Sequence, residues 1–570
     1  MALHAEEFRD DWLSLEGRGW TTRPEDCLPK SAALASLANL EPPDPVASVA
    51  YASHGNLLIV AGTDPTRAHA CAKRVAADLH VTVLEARASG ASDAYACWTG
   101  AIQSLRGYLG EFVATIADLK AGGPAKPGPS DAKFDLVLDL SARPLFAMHQ
   151  PPQGYFRAPA QAEALDDLLA ELREAVGEFE KPRYFAYREN LCAHSRSEIT
   201  GCNACVEICS AEAIRPDGNF VKVDPHLCMG CGACSTVCPS GAMSYQFPRV
   251  ADRGAQLKQL LSTYRKAGGT DACILFHSGT DGRDLLASGA VGGSGIPARV
   301  IPIEAWHVAA VGLDLLLPAI AFGASQVAVL CTSSDSPAYV RALREQMALG
   351  QSILSAFGYS GVHFAVIEAR DAQAAATALE RLAPALSVAA AATFLLSNDK
   401  RTAIEFAVEH LAKHAPTPCD EIALAAGAPY GEVVVDQKKC TLCMACAGAC
   451  PESALMDGGD QPLLKFLERN CVQCGLCEKT CPEDAITLNP RLLLTPAVRE
   501  PRVLNQTQPF HCILCAKPFG TTQMVATMLG RLAGHSMFST PEAQRRLQMC
   551  ADCRVVDMMA NKNEASVLKL

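Results

Sequence analysis

Charge is scarce in this 570-residue chain: Asp, Glu, Lys and Arg make up 19% of it, below the usual quarter or so. Beside a hydrophobic fraction of 49%, that shortage argues against disorder and fits several buried cores, about four domains by length. Basic charge is scarcer still. The 50 Lys and Arg face 61 Asp and Glu, a formal net charge of −11, so nucleic acid is not an expected partner. No export signal is visible, since MALHAEEFRDDW at the start is acidic and has no apolar core. Unbroken apolar runs are missing too. Residues 308–330 come nearest, but they contain Asp314, Pro318 and Gln326 and are split at Gly323 and Ala324. They read as a buried helix followed by a buried strand, not a membrane span. The expected compartment is the cytoplasm, where thiols stay reduced.

Catalytic side chains are also missing as a group: no acid, base or nucleophile constellation stands out, and no catalytic residue is assigned. GAVGGSG (289–295) does not fit a dinucleotide fingerprint and reads as a flexible loop. AGTDPTRAHA (61–70) reads as strand, loop and helix, but it lacks the glycines and lysine of a phosphate loop.

What the chain does have is cysteine, 26 of them. Four runs dominate: CNACVEIC (202–209), CMGCGACSTVCP (228–239), CTLCMACAGACP (440–451) and CVQCGLCEKTCP (471–482). Three match C-x2-C-x2-C-x3-C-P, in which three thiolates hold one [4Fe–4S] cube and the fourth reaches to its neighbour. A disulfide framework suits small secreted chains and does not suit this one. Crossed connectivity then assigns ligands. In the second pair of runs, Cys440, Cys443, Cys446 and Cys481 hold one cube, and Cys471, Cys474, Cys477 and Cys450 the other, with a hairpin turn expected at DGGD (457–460). In the first pair, Cys228, Cys231, Cys234 and Cys209 hold one cube. Four cubes are expected in all.

The remaining cube has Cys202, Cys205 and Cys238 and needs a fourth ligand. Ile199 stands where a cysteine would be expected. Cys192 is the nearby candidate, brought round by the loop CAHSRSEITGC. His194 is an alternative, and so is a three-iron or absent cube with Cys192 as a buried apolar residue. Ser210 replaces the usual proline after Cys209.

A different set closes the chain. Cys512, Cys515, Cys550 and Cys553 form two C-x2-C knuckles, a tetrahedral all-sulfur site for one zinc or a rubredoxin-like iron. Of the scattered Cys27, Cys71, Cys97, Cys273, Cys331 and Cys419, most read as buried small hydrophobes.

Between the runs, strands and helices alternate. Strands are expected at 55–63, 81–85 and 134–140 around a helix at 65–79, with a Pro/Gly loop at 121–130. A second series has strands at 272–276, 298–303, 326–331 and 362–368 and helices at 313–322, 337–357, 372–382 and 402–414. The expected fold class is α/β plus α+β. Two parallel-sheet α/β units (1–180 and 255–435) alternate with two dicluster ferredoxin-like units (183–250 and 436–495), and a C-terminal four-cysteine metal-knuckle domain (505–570) follows. The α/β units read as docking surfaces, and the coarse pattern repeats.

Together, the strings FDLVLDLS, FEKPRYFAYRENLCAHSRSEITGCNACVEIC, FHCILCAKPFG and MCADCRV resemble the large bacterial 4Fe–4S binding proteins found alongside formate dehydrogenase and its TorD-like chaperone. That resemblance implies that Cys192 is the loop ligand of the unusual first run. It also implies a place in formate metabolism, with a formate dehydrogenase-type redox enzyme as protein partner. The expected function is single-electron relay. The alternatives are an assembly factor for a molybdenum or tungsten formate dehydrogenase, or the iron–sulfur subunit of a flavin-dependent reductase.

Overall fold

A computed structural model describes residues 28–560, except 91, 122–127, 159–161, 292–295 and 460. Along the first α/β domain, the apolar strand Asn56–Val60 lies inside a seven-stranded sheet, next to its central strand His80–Glu85. Leu57 and Ile59 face the helices Pro65–Val75 and Ala162–Glu174, and Leu58 and Val60 face the opposite core with Phe112 and Ile116. A strand buried on both faces has no polar alternation to show. Asp64 caps the first helix by accepting from the Thr66 N–H, with Pro65 opening it.

This sheet is mixed, where a parallel one was expected. Ala96–Arg106, His80–Glu85, Asn56–Val60, Leu136–Asp139 and Tyr155–Arg157 run parallel. Phe112–Lys120 and Ser130–Phe134 add an antiparallel edge. Ala96–Arg106 escaped the sequence reading because it is half-exposed along its length and offers no apolar run. Residues 122–127 of the expected Pro/Gly loop lie outside the described residues.

The second α/β domain is wholly parallel, as read. Its order is Val300–Ala305, Cys273–Ser278, Gln326–Cys331, Phe364–Glu368. Helices Val250–Lys266, Leu313–Ala321, Pro337–Ala356 and Lys400–Lys413 cover one face; Asp281–Val291 and Ala372–Arg381 cover the other. The helix Asp281–Val291 corrects part of the flexible loop read at 289–295; residues 292–295 lie outside the described ones. The two sheets differ in order and direction, so the coarse repeat does not extend to their topology. Residues 308–330 are a buried helix and a buried strand. Among the described residues, no helix is long and apolar enough to cross a membrane.

Each cysteine-rich unit is built alike. Short helices Ala204–Ile208 and Ala233–Val237 in the first, and Ala445–Ala449 and Leu476–Thr480 in the second, follow their cysteine loops. Hairpins join the halves: Ile214–Asp217 with Phe220–Val223, and Leu455–Gly458 with Gln461–Phe466. The expected turn at 457–460 closes the second hairpin, although Asp460 lies outside the described residues.

The first unit docks where α/β sheets ordinarily bind ligands, beyond the carboxyl ends of the strands. Ala309, after Val300–Ala305, and Tyr339, after Gln326–Cys331, pack with Cys231 and Cys234. Cys331, at that strand end, is buried, and burial pushes its thiol up to about 12. It serves packing.

Candidate metal centres

Sixteen ferredoxin-type cysteines gather in the four expected sets. Cys202 and Cys205 lie in the electrostatic field of Cys192 and Cys238. Cys234 lies in that of Cys231, Cys228 and Cys209. Cys446 has Cys440, Cys443 and Cys481 around it, and Cys477 has Cys471, Cys474 and Cys450. Burial, with neighbouring sulfurs adding to it, raises the Cys228 and Cys474 thiols to about 11 and Cys446 to about 12. Such thiols ionise when a metal takes the proton's place.

The fit to a cluster shows in the backbone. The last cysteine of each run accepts an N–H from four or five residues on: Ala213 to Cys209 at 3.3 Å, Met243 to Cys238 at 3.4 Å, Ala454 to Cys450 at 3.2 Å and Ala485 to Cys481 at 3.4 Å. Amides aimed at sulfur suit a buried anionic core. Side chains add to this: Tyr339 Oη donates to Cys231 at 3.2 Å and Gln473 Nε2 to Cys471 at 3.3 Å. Ser210, in the place of a proline, donates to Gln150 Oε1 at 3.0 Å and meets the Tyr339 hydroxyl.

Cys192 is 7% exposed and is carried to its set by a hairpin, Ser195–Arg196 with Ile199–Thr200. Gly201 N–H donates to His194 O at 2.7 Å and Cys202 N–H to Ala193 O at 2.9 Å. Ile199 belongs to the hairpin. His194 turns its Nδ1 to the Cys202 carbonyl, 3.0 Å away. A sequence signal for Cys192 existed. Cys192 N–H donates to Glu189 O and Cys471 N–H to Glu468 O, both at 2.9 Å, out of the like strings RENLC and LERNC. Cys228 and Cys440 instead follow Asp224 and Asp436, whose carboxylates accept from the second N–H onward, both at 2.9 Å.

Three buried or half-buried cations escaped the sequence reading. Lys181 donates to the carbonyls of His226 and Cys228, both at 2.8 Å, and burial lowers it to about 8. Lys400 donates to Ser235, Thr236 and Cys238 at 2.8, 2.6 and 3.0 Å. Burial lowers its pKa, while Asp314 and the Cys238 sulfur oppose that. Arg401, the next residue, donates to Arg469 O at 3.0 Å and Cys471 O at 3.1 Å and lies over the Tyr430 ring. The signal was two cations opening the helix Lys400–Lys413, where the dipole favours acids.

The C-terminal four-cysteine set has a different scale. Ligand atoms of Cys512, Cys515, Cys550 and Cys553 all lie within 4.8 Å of one another, with Cys515 and Cys550 sulfurs 3.7 Å apart. That suits one tetrahedral ion with bonds of about 2.3 Å. No other group of three or more potential ligands closes so tightly among the described residues. Burial would raise Cys512, but N–H groups of Cys515, Cys550 and Leu514 outweigh it and bring it to about 6.

Two family models, each described as a 4Fe-4S dicluster domain, match residues 200–242 and 439–486. Similar proteins include "Ferredoxin 7Fe" of Hydrogenibacillus schlegelii, 37% identical over 43 residues, covering 8% of this chain and 55% of that one. "Ferredoxin" of Saccharopolyspora erythraea is 40% identical over 43 residues, 8% of this chain and 41% of its own. "Ferredoxin" of Alicyclobacillus acidocaldarius subsp. acidocaldarius is 44% identical over 39 residues, 7% and 50%. The matches span about half the length of these relatives. The chain thus carries two ferredoxin-type dicluster domains, which supports its being an iron–sulfur binding protein. Cys192 lies outside both matched segments.

Proposed function

We propose that this chain is a cytoplasmic electron-transfer protein holding four [4Fe–4S] clusters and serving a formate dehydrogenase-type enzyme. The observation that carries this is the grouping of sixteen cysteines into four sets, each with an amide N–H directed at a sulfur. The sets are Cys192, Cys202, Cys205 and Cys238; Cys209, Cys228, Cys231 and Cys234; Cys450, Cys471, Cys474 and Cys477; and Cys440, Cys443, Cys446 and Cys481. When bound, such clusters supply one-electron redox chemistry. The protein's own residues anchor them, exclude water and set the surrounding charge. Zinc at the Cys512 set is a structural closure, since two of its cysteines flank the start of the helix Ala551–Ala560. The enzyme partner is inferred from the strings that resemble formate dehydrogenase-associated proteins.

Protein purified without oxygen should contain about sixteen irons, four per cluster, and one zinc. It should bleach reversibly on reduction and pass electrons to or from a formate dehydrogenase. Iron-poor, colourless protein overturns the cluster reading. Fully loaded protein that exchanges no electrons with such an enzyme overturns the partner.

A further inference from the structure

The two dicluster units touch through the loops that carry their cysteines. Lys479 Nζ donates to Thr200 O at 2.7 Å. A Cβ on Gly201 would lie 2.7 Å from the Leu476 side chain and 2.6 Å from Ala193 O. Leu476 is fully buried. This close approach therefore requires glycine beside Cys202. A cavity of about 510 Å³ opens at the seam, lined by Cys202 and Cys238 from one unit and Cys474 from the other. The Cys202 sulfur contributes to the field at Cys474.

One helix reaches both sides of this seam. Lys400 holds the Cys238 carbonyl and Arg401 holds the Cys471 carbonyl. Those cysteines belong to the two sets that face each other. Within the units the sets adjoin as well, Cys234 with Cys205 and Cys477 with Cys446.

We infer that the seam between Thr200–Cys202 and Cys474–Lys479 is an electron crossing that makes the two units one continuous four-centre path, with Lys400 and Arg401 as the residues that position its two sides. The inference rests on the cluster reading above. The order of centres is the Cys228 set, the Cys192 set, the Cys471 set and the Cys440 set. Each transfer across the seam oxidises one core by one electron and reduces the facing core; no bond is made or broken. Electrons enter from a redox-enzyme partner at either end.

The test is an anaerobic reductive titration of the full chain with dithionite, followed by electron paramagnetic resonance, with iron counted on each sample. Fully reduced wild-type protein should show spin–spin splitting that links clusters of both units. Gly201→Ala, which forces Leu476 away, and Lys479→Glu, which sets a carboxylate against the Thr200 carbonyl, should keep full iron and narrow that splitting. Lys479 is exposed, so its variant folds even where Gly201→Ala does not. A wild-type spectrum equal to two isolated pairs, or one unchanged in Lys479→Glu, overturns the crossing and leaves the cluster reading standing. Iron-poor wild-type protein overturns both.

Discussion

Every cysteine of the first dicluster unit is buried or half-buried, whereas in the second Cys443 is exposed. The two units share their short helices, hairpins and amide-to-sulfur bonds, so the difference lies in what surrounds them. The first is held between two α/β domains and receives two buried ammoniums, Lys181 and Lys400. The second leans on the C-terminal knuckle domain, through Thr521 Oγ1 donating to Thr441 O at 2.8 Å. Reduction adds negative charge, so buried cations favour the reduced form. The comparison teaches that one ligand framework is given different surroundings by its packing; with clusters bound, Lys181 and Lys400 would raise the potential of the first unit above what its loops alone would give.

The largest expected effect tests the first unit's unusual ligand. Cys192→Ser should remove one cluster, about four of sixteen irons, and leave the second unit intact. Iron and acid-labile sulfide per chain measure this. A loss of only one iron would mean that Cys192 holds the lost iron and the other three cysteines keep a three-iron core; no loss would mean that Cys192 is not a ligand. Loss from both units would show that they assemble together, and the contrast between them would need another basis.

Next in size is Lys400→Met. Removing a buried cation at an effective dielectric near 20 costs the reduced state on the order of 1–3 kcal/mol, roughly 40–130 mV for one electron. Redox titration should show the Cys192 set shifted downward and the Cys440 set unmoved. A shift of equal size in both units would mean that Lys400 acts through folding.

These cations explain what the sequence left hidden. The cysteines were legible because short spacings encode one cluster loop each, and the second α/β domain was legible because Ile274, Ile301, Val327 and their neighbours form compact apolar runs. Lys181 looks like any surface lysine in sequence and Lys400 differs only by opening a helix; only long-range folding brings them to Cys228 and Cys238. The strand Ala96–Arg106 was hidden for a related reason, since a half-exposed strand carries little periodic signal. Cys192 lay between these cases: its segment was visible, but the hairpin that returns it to Cys202 is set by pairing between Ser195–Arg196 and Ile199–Thr200.

Acid should separate the supports of the two units. His277, in the second α/β domain, is fully buried, its Nδ1 donating to Ser278 O at 3.0 Å. Burial lowers its pKa to about 4. The unfolded chain takes up that proton near 6.5, so stability is full above that value and falls as pH drops toward 4. From pH 7 to 5 the loss is about 2 kcal/mol. His277→Asn should flatten this slope, read as the change in urea midpoint between the two pH values. Equal slopes in both proteins would remove acid sensitivity from the first unit's support.

The smallest effect reads the crowding directly. Gly232 and Gly475 hold the same place in their runs, with φ of 76° and 78°. A Cβ on Gly475 would meet nothing within 4 Å, whereas one on Gly232 would lie 2.6 Å from the Ala310 Cβ. Alanine in the left-handed region costs about 1 kcal/mol at either site. Only Gly232→Ala adds the overpacking of a filled interface, roughly another 1–3 kcal/mol. Gly475→Ala should therefore lower the urea midpoint slightly and Gly232→Ala several times more. Because the backbone strain is common to both, the gap between them isolates the packing of the α/β domain against the first unit. Equal losses would mean that the first unit is no more tightly enclosed at this point than the second.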